Sequence, residues 1–340
     1  MSDDYLWDRT GEPDPEVQRL ERLLSQFRSD QPMPEMPTNP SASHRTRFWS
    51  LWRPLVAIAA MVVLVAGLWG LFQHFKPGWD VASLQGSPKI GSSRMGEEGR
   101  LAVGQWLETD GASRAILSIG KIGQVEIEPN TRVRLVKARA SEHRIALARG
   151  TMHATIWAPP RLFFVDTPSA TAVDLGCAYT LTVDDSGSGL LYVTHGWVAF
   201  DFHGHESFAP EGALCATRPG VGPGTPYFED SSPAFQHALT RFDFGALGSP
   251  DRVSALATVL TEARPRDGLT LWHLISRVDA RERGSVYDRM AELLPPPPGV
   301  TRDGILRLDQ HMLDLWWDRL GFGDTQWWRL WEGKWPGEGK

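Results

Sequence analysis

The sequence predicts an all-β domain of the roll or solenoid type with a C-terminal α-helical cap, one transmembrane helix and one short amphipathic helix. Three observations lead to this fold class: one uninterrupted apolar stretch, a serial run of short alternating segments, and helical spacing of apolar residues towards the end. The predicted domains are a cytoplasmic tail (1–53), a transmembrane helix (54–73), a stalk (74–99), a β domain (100–217) and a Trp-rich helical extension (218–340).

The composition is that of a chain with one sizeable core and some attachments. The 340 residues are 41% hydrophobic and carry a formal net charge of −6. A slightly acidic chain gives no general argument for direct binding to nucleic acid. We therefore expect protein, lipid or small-molecule partners.

The N-terminal tail contains one short predicted helix, over residues 13–28. Asp14-Pro15-Glu16 is a good helix start, because Asp suits the N-cap, Pro the first helical position and Glu the first turn. Apolar residues then recur at helical spacing, and they are Val17, Leu20, Leu23, Leu24 and Phe27. The tail offers nothing to cover this stripe, so it suits the groove of a cytoplasmic partner. The alternatives are a helix that lies on a membrane surface or one that frays in water.

The apolar stretch from Pro54 to Phe72 holds no charged residue. As a helix it is about 30 Å long, which matches the hydrocarbon core of a bilayer. It starts too far from residue 1 for a signal peptide and has no polar face for a core helix. Arg45, Arg47 and Arg53 precede it, so the positive-inside rule places the N-terminus in the cytoplasm, with the lipid bilayer as a partner.

Beyond a Gly/Ser-rich stalk, short segments with period-two alternation follow one another, each broken by a tight turn. No long helix interrupts them, which argues against a parallel α/β sheet and favours a roll, a solenoid or a sandwich. The predicted strand–turn–strand units are 123–128 with 132–136, 144–148 with 152–156, 162–166 with 172–175, 190–194 with 197–200, and 206–209 with 214–217.

The chain has two cysteines, Cys177 and Cys215, both in the β domain. An oxidising compartment would allow them to form a disulfide. Two buried free thiols are the alternative, and the spacing does not separate the two cases.

Several short motifs occur in the same order as in a known family. They are Trp106-Leu-Glu-Thr-Asp-Gly-Ala-Ser-Arg114, Glu128-Pro-Asn-Thr131, Leu147-Ala-Arg-Gly150, Phe164-Val-Asp-Thr-Pro168, Leu175-Gly-Cys-Ala-Tyr179 and Val193-Thr-His-Gly-Trp-Val198. The ordered set resembles the FecR-type domain. The resemblance implies a regulator in the inner membrane of a bacterium. Its periplasmic β domain would receive a signal from an unknown protein or ligand, and its N-terminal tail would bind an extracytoplasmic-function sigma factor.

From residue 233 onward the apolar spacing predicts several helices that form a small cap. The end of the chain is dense in tryptophan. Trp316 lies at helical spacing from Met312 and suits a core position. Trp327, Trp328 and Trp331 are candidates for a recognition surface for a glycan, a lipid interface or a protein. Packing inside the cap is the alternative for them.

No set of residues has the spacing of an active site. The sequence has no nucleophile elbow, no zinc-protease motif and no phosphate-binding loop. We therefore expect no catalytic residue, no bound metal and no cofactor. The predicted function is that of a signalling regulator that controls a sigma factor through its tail. An envelope-binding module with an inert tail is the alternative.

Overall fold

The computed structural model describes residues 15–25, residue 61 and residues 77–322. The chain divides into two units, Met1–Gly70 and Leu71–Lys340, and each is described here by itself. The first unit contains helix α1 (Pro15–Ser25). The second contains all the described strands and the remaining helices, and it holds the hydrophobic core.

Eighteen strands make up most of residues 78–228. They are β1 (Gly78–Gln85), β2 (Lys89–Ile90), β3 (Ser93–Arg94), β4 (Glu98–Ala102), β5 (Trp106–Glu108), β6 (Arg114–Ile119), β7 (Gly123–Ile127), β8 (Arg132–Arg139), β9 (Glu142–Ile156), β10 (Phe163–Asp166), β11 (Thr171–Asp174), β12 (Ala178–Val183), β13 (Gly189–His195), β14 (Trp197–Phe202), β15 (His205–Pro210), β16 (Ala213–Arg218), β17 (Gly222–Pro223) and β18 (Tyr227–Phe228).

The strands form two sheets that share one long strand. Sheet A has the order β4-β1-β6-β7-β9-β12-β13-β16, and both β17 and β18 pair with β16. Sheet B has the order β3-β2-β5-β8-β9-β10-β11-β14-β15. The pairings are antiparallel except that of β9 with β10, which is parallel. Strand β9 therefore belongs to both sheets and holds them together at one corner.

Alternation in the sequence produces the core. In β6 the side chains of Ala115, Leu117 and Ile119 are buried, whereas those of the residues between them reach the surface. Successive side chains of a strand point to opposite faces, so such a segment buries one face only. The same pattern in β1, β7, β12, β13 and β16 fills the space between the sheets with aliphatic and aromatic side chains.

The chain bends from one sheet to the other at Gly150, in the middle of β9. Its φ is +93°, and a Cβ atom there would overlap Thr131 Oγ1 and Cα. The hydroxyl of Thr131 accepts a hydrogen bond from the Thr151 amide at 2.9 Å, and that of Thr109 accepts one from the Thr131 amide at 2.9 Å. Three of the FecR-like motifs thus meet at this corner, where their residues make turn and strand contacts.

Gly150→Ala is therefore expected to lower the free energy of unfolding by about 2–3 kcal/mol, because it adds a clash to an unfavourable φ. Gly104→Ala is the matched control. Gly104 has a φ of +91° and no atom within 4 Å of the added Cβ. The control should lose about 1 kcal/mol from backbone strain alone. Urea denaturation of both variants measures the difference, and equal losses would show that the close approach to Thr131 contributes nothing.

Six α-helices and one 3-10 turn follow the strands. They are α2 (Pro233–Phe244), α3 (Pro250–Glu262), a 3-10 turn (Pro265–Asp267), α4 (Gly268–Arg277), α5 (Ala280–Leu293), α6 (Arg302–Leu306) and α7 (Gln310–Arg319). Hydroxyl or carboxylate caps begin several of them: Ser232 for α2, Ser249 for α3 and Asp309 for α7. Their apolar faces form a second core. Leu269 of α4 and Trp317 of α7 instead pack into the core of the sheets.

The predicted fold class is wrong in two respects. The β domain is a mixed, sheet-rich structure that shares its core with the C-terminal helices, so it is not a separate all-β roll with a cap. In addition, no helix within residues 15–25, 61 and 77–322 is long and apolar enough to cross a membrane. The longest, α5, has 14 residues and rises only about 21 Å against a bilayer core of about 30 Å. The predicted span at 54–73 lies outside the described residues apart from Met61.

The segment expected as a stalk is also different from the prediction. Within 78–102 the chain forms strands β1 to β4, and Trp79, Val81 and Leu101 are buried in the core. Strand β1 pairs with both β4 and β6, so it is an inner strand of sheet A. Gly86, Ser87, Gly91 and Ser92 lie in the turns between these short strands, whereas Ser83 and Gly99 are part of strands.

Candidate functional site

Helix α1 exposes the stripe of apolar residues that the sequence predicts. Leu20, Leu23 and Leu24 are 58%, 54% and 61% exposed, and no residue of the helix is buried. Val17 is half-buried, and Phe27 lies outside the described residues. Side chains three and four positions apart lie on one face of a helix. Leu20, Leu23 and Leu24, together with Val17, are called the α1 stripe below.

The other residues of α1 stabilise the helix but do not cover the α1 stripe. Glu16 in the first turn and Arg22 in the last turn complement the helix dipole. The Ser25 hydroxyl donates to the Arg22 carbonyl at 2.8 Å. A helix of 11 residues is marginal in water by itself, so burial of the stripe against another surface would stabilise it.

The two cysteines are free thiols in the structure, and both are buried. Each has its own partner. Cys177 Sγ donates to Asp174 Oδ2 at 2.7 Å, whereas Cys215 Sγ donates to the Gly224 carbonyl at 3.3 Å. Burial raises the pKa of both thiols, that of Cys215 to about 12, so neither is a reactive thiolate at neutral pH. The disulfide between them is not formed.

Asp174 is a buried carboxyl group in the core between the sheets. It is 1% exposed and lies at the end of β11. Its Oδ1 accepts from the Gly176 amide at 2.7 Å, and its Oδ2 accepts from the Cys177 thiol. Burial raises the pKa of Asp174 to about 7, although these hydrogen bonds oppose the rise. The hydroxyl of the neighbouring Tyr179 is also buried and has no hydrogen-bond partner.

A raised carboxyl pKa has a defined effect on stability. Between pH 4 and pH 7 the folded chain keeps a proton on Asp174 that the unfolded chain releases, so stability falls as pH rises through this window. The span from 3.8 to about 7 corresponds to about 4 kcal/mol. Asp174→Asn keeps an acceptor for Gly176 and cannot ionise. We expect it to be more stable than the wild type above pH 7 by about 2–4 kcal/mol, and similar at pH 4.

Urea denaturation at several pH values checks this expectation, and Asp184→Asn is the control. Asp184 is an exposed turn carboxylate whose pKa is lowered by hydrogen bonds, chiefly from Ser186. Asp184→Asn should therefore be less stable than the wild type above pH 4, whereas Asp174→Asn should be more stable than the wild type above pH 7. If the difference in free energy of unfolding between Asp174→Asn and the wild type does not change with pH, the buried carboxyl does not titrate in this window.

A second polar cluster, in which Ser207 and Thr225 are buried and the charged residues are half-buried, joins the helices to the sheets. Arg277 of α4 donates to the Glu206 carbonyl at 2.9 Å, the Ser207 hydroxyl at 2.5 Å and the Pro223 carbonyl at 3.2 Å. Asp243 of α2 accepts from the amide and hydroxyl of Thr225 at 2.7 and 2.8 Å. Burial lowers the pKa of Arg277 and raises that of Asp243, and each charge opposes the shift of the other.

His273 makes a further contact between α4 and β15. Its Nε2 accepts from the Phe208 amide at 3.1 Å, and its Nδ1 lies 2.9 Å from the Leu269 carbonyl, to which it donates. Burial and the nearby Arg277 lower the pKa of His273 to about 3. The imidazole is therefore neutral at physiological pH, and the stability that it contributes is lost as pH falls from 6.5 towards 3.

The two tryptophans of α7 that the structure describes are both in cores. Trp316 is fully buried in the helical core, with its ring 5.3 Å from that of Tyr287, as the helical spacing predicts. Trp317 is fully buried against β14 and β15, 5.9 Å from Trp197 and 4.7 Å from Trp272. The predicted recognition residues Trp327, Trp328 and Trp331 lie outside the described residues.

Within the described ranges no three His, Cys, Asp or Glu side chains are grouped so that they could hold a metal ion. The charged residues of the two polar clusters are engaged with protein partners. They hold the strands and helices together, and their hydrogen bonds run to the protein's own groups. The α1 stripe is therefore the best candidate, within the described residues, for a surface that binds another protein.

Comparison with known proteins gives little beyond this geometry. No family model and no curated protein matches the sequence. Two solved structures, both of a "putative anti-sigma factor" from Parabacteroides distasonis ATCC 8503, are similar to part of the chain at 13% identity, with a TM-score of 0.33. The match covers 40% of this chain and 64% of the other. A similarity at this level supports no argument about family or function.

Sequence reasoning did not anticipate the buried charges. Asp174 and Asp243 each sit in an apolar run, Ala-Val-Asp-Leu and Phe-Asp-Phe, and such a placement was the available signal. Arg277 and His273 are four residues apart in a helix that the sequence predicts, but their partners come from strands more than fifty residues away. Only the tertiary structure brings these groups together.

Proposed function

We propose that this chain regulates a sigma factor and that the α1 stripe is the surface that holds it. The observation that carries the proposal is the exposure of Leu20, Leu23 and Leu24 on one face of a helix that buries nothing in the described structure. Such a face is the usual ligand of a hydrophobic groove in a partner protein.

The energetics suit a regulated complex. Burial of one leucine contributes about 1.5–3 kcal/mol, so three on one face supply several kcal/mol of binding free energy. Part of this offsets the ordering of a helix that is marginal in isolation. The result is an interaction that is specific yet reversible, as control of a transcription factor requires.

The choice of a sigma factor as the partner comes from the ordered resemblance to FecR-type domains between Trp106 and Val198. In the structure the threonines and glycines of these motifs occupy corners and turns of the sheets, as with Thr109, Thr131 and Gly150. Their positions account for the β fold.

Recovery of the full-length chain from its own cells tests the proposal. The tagged chain is cross-linked in the cell and purified under denaturing conditions, and the attached proteins are identified by mass spectrometry. A sigma factor that is enriched over an untagged culture is the expected result. Enrichment of a different class of protein would refute the choice of partner, and no attached protein would refute the binding role itself.

A further inference from the structure

A row of charged side chains crosses the outer face of sheet B. The register pairs Arg94 with Lys89, Lys89 with Glu108, Glu108 with Arg132, and Arg132 with Arg149. Directly paired residues point to the same side of a sheet. Their neighbours in the strands, such as Leu107 and Val133, are buried, so the row faces outward.

This half of sheet B is open, whereas the other half is covered. At β14 and β15 the outer face packs against α4 and α7, where Phe208 lies beneath Trp317. At β3, β2, β5, β8 and β9 no helix of the described chain covers the row. The side chains of Arg132 and Arg149 are 44% and 56% exposed, and Lys89 and Arg94 are exposed as well.

Trp106 fixes two of the cations in place. Its ring centroid lies 4.2 Å from Arg132 Cζ and 5.2 Å from Arg134 Cζ. Arg132 Nε also lies 2.9 Å from Glu108 Oε1. Guanidinium groups that are held on an aromatic ring lose less freedom when they bind an anion, so the site is partly pre-organised.

Three carboxylates accompany the five cations. Glu108 lies within the row, Asp185 is 3.6 Å from Arg149, and Asp110 lies close to Arg94 and Lys89. Hydrogen bonds from Ser113 and Ala112, together with these two cations, lower the pKa of Asp110. The face keeps a net positive charge in a chain of formal net charge −6.

Sheet A offers a contrast. Its corresponding outward row, which crosses β4, β1, β6, β7, β9 and β12, contains Glu98, Ala82, Ile116, Glu126, His153 and Thr180. That row holds two carboxylates and no Lys or Arg. The alignment of several cations in one row across the strands is thus found in sheet B and not in this row of sheet A.

We propose that the open face of sheet B binds an acidic polysaccharide, a linear sugar chain that carries carboxylate groups. The flat row of four cations meets the repeated anionic groups of such a chain. Glu108 is an acceptor only, so it suits the hydroxyl groups that each acidic sugar unit carries beside its carboxylate, whereas the phosphodiester backbone of DNA has no such donor. Trp106 with its two guanidinium groups forms the centre of the site. This site is independent of the α1 stripe.

Binding of the purified full-length chain to polygalacturonate tests the proposal. Neutral dextran and single-stranded DNA are the comparison polymers. Each exposed ion pair contributes about 0.2–1 kcal/mol, so affinity comes from several contacts together and should fall steeply between about 50 and 200 mM salt. Lys89→Glu with Arg94→Glu should weaken binding about tenfold or more.

A control variant, Lys121→Glu with Arg281→Glu, has the same change in charge at exposed positions on other parts of the surface. Its affinity should stay within about twofold of the wild type. A second variant, Arg134→Gln with Arg149→Gln, should also bind more weakly, and it guards against misfolding of the β2–β3 turn. Equal losses in test and control variants, equal binding of dextran, tighter binding of DNA, or no binding of polygalacturonate would each overturn the proposal.

Discussion

The double substitution Leu20→Asp with Leu24→Asp is expected to abolish binding of the proposed sigma-factor partner to the full-length chain. Each leucine that becomes buried contributes about 1.5–3 kcal/mol, and each aspartate would have to lose its hydration in an apolar groove. The expected loss of affinity is at least about a hundredfold. Both residues are more than half exposed in the chain itself, so its fold should be unaffected.

The matched control is Gln18→Asp with Arg22→Asn. It has the same spacing in α1 and the same change in net charge, but it lies on the opposite face of the helix, where both side chains are exposed. Calorimetry or co-purification with the identified partner should show binding within about threefold of the wild type. If both variants lose affinity equally, charge or helicity matters and the apolar stripe does not.

Arg277→Met is expected to lower the free energy of unfolding of the larger unit by about 3–5 kcal/mol. Arg277 donates to Glu206, Ser207, Pro223 and Thr225, and its loss leaves these acceptors without their charged donor. It also removes the cation that opposes the rise in the pKa of Asp243. Arg277 and Asp243 are linked through the Thr225 hydroxyl, so the removal of Arg277 leaves the half-buried carboxylate without its nearby opposite charge, which adds to the cost.

The double variant Arg277→Met with Asp243→Leu separates this cost from a loss of packing. It removes both charges, so it should be more stable than the sum of the two single variants by at least about 1 kcal/mol. An exposed ion pair, Arg241 with Asp251 at 2.6 Å, provides the control. A double-mutant cycle on this exposed pair should give an interaction energy of about 0.2–1 kcal/mol. Strict additivity at Arg277 and Asp243 would show that their charges do not interact.

The sequence predicts which segments are strands much better than it predicts their partners. Of the five strand–turn–strand units, only 162–166 with 172–175 is a hairpin, formed by β10 and β11. The two segments on either side of Gly150 are one continuous strand, β9. At the other three turns the chain crosses between the sheets, so β7 pairs with β6 and β9 and not with β8. Alternation in the sequence predicts that a strand buries one of its faces. It does not predict which sheet the strand joins, because both sheets have a buried face.

The α1 stripe and the cationic face of sheet B also differ in how far the sequence predicts them. The α1 stripe is local in sequence, because four residues within one short segment define it. The cationic face of sheet B was not predicted, because Lys89, Glu108, Arg132 and Arg149 become neighbours only through the register of four strands. Likewise, the partners of Arg277 lie 52 to 71 positions away in the chain. Such clusters depend on topology.

The most direct test of the proposed function is a photo-cross-link from the position of Leu20 in the full-length chain, inside the cell. A photoreactive amino acid there, in the α1 stripe, should attach to a sigma factor, whereas the same amino acid at Gln18 should give little or no adduct. That pair of results would establish both the partner and the face that binds it. Equal adducts at the two positions, or none at Leu20, would contradict the assignment of the stripe as the binding surface.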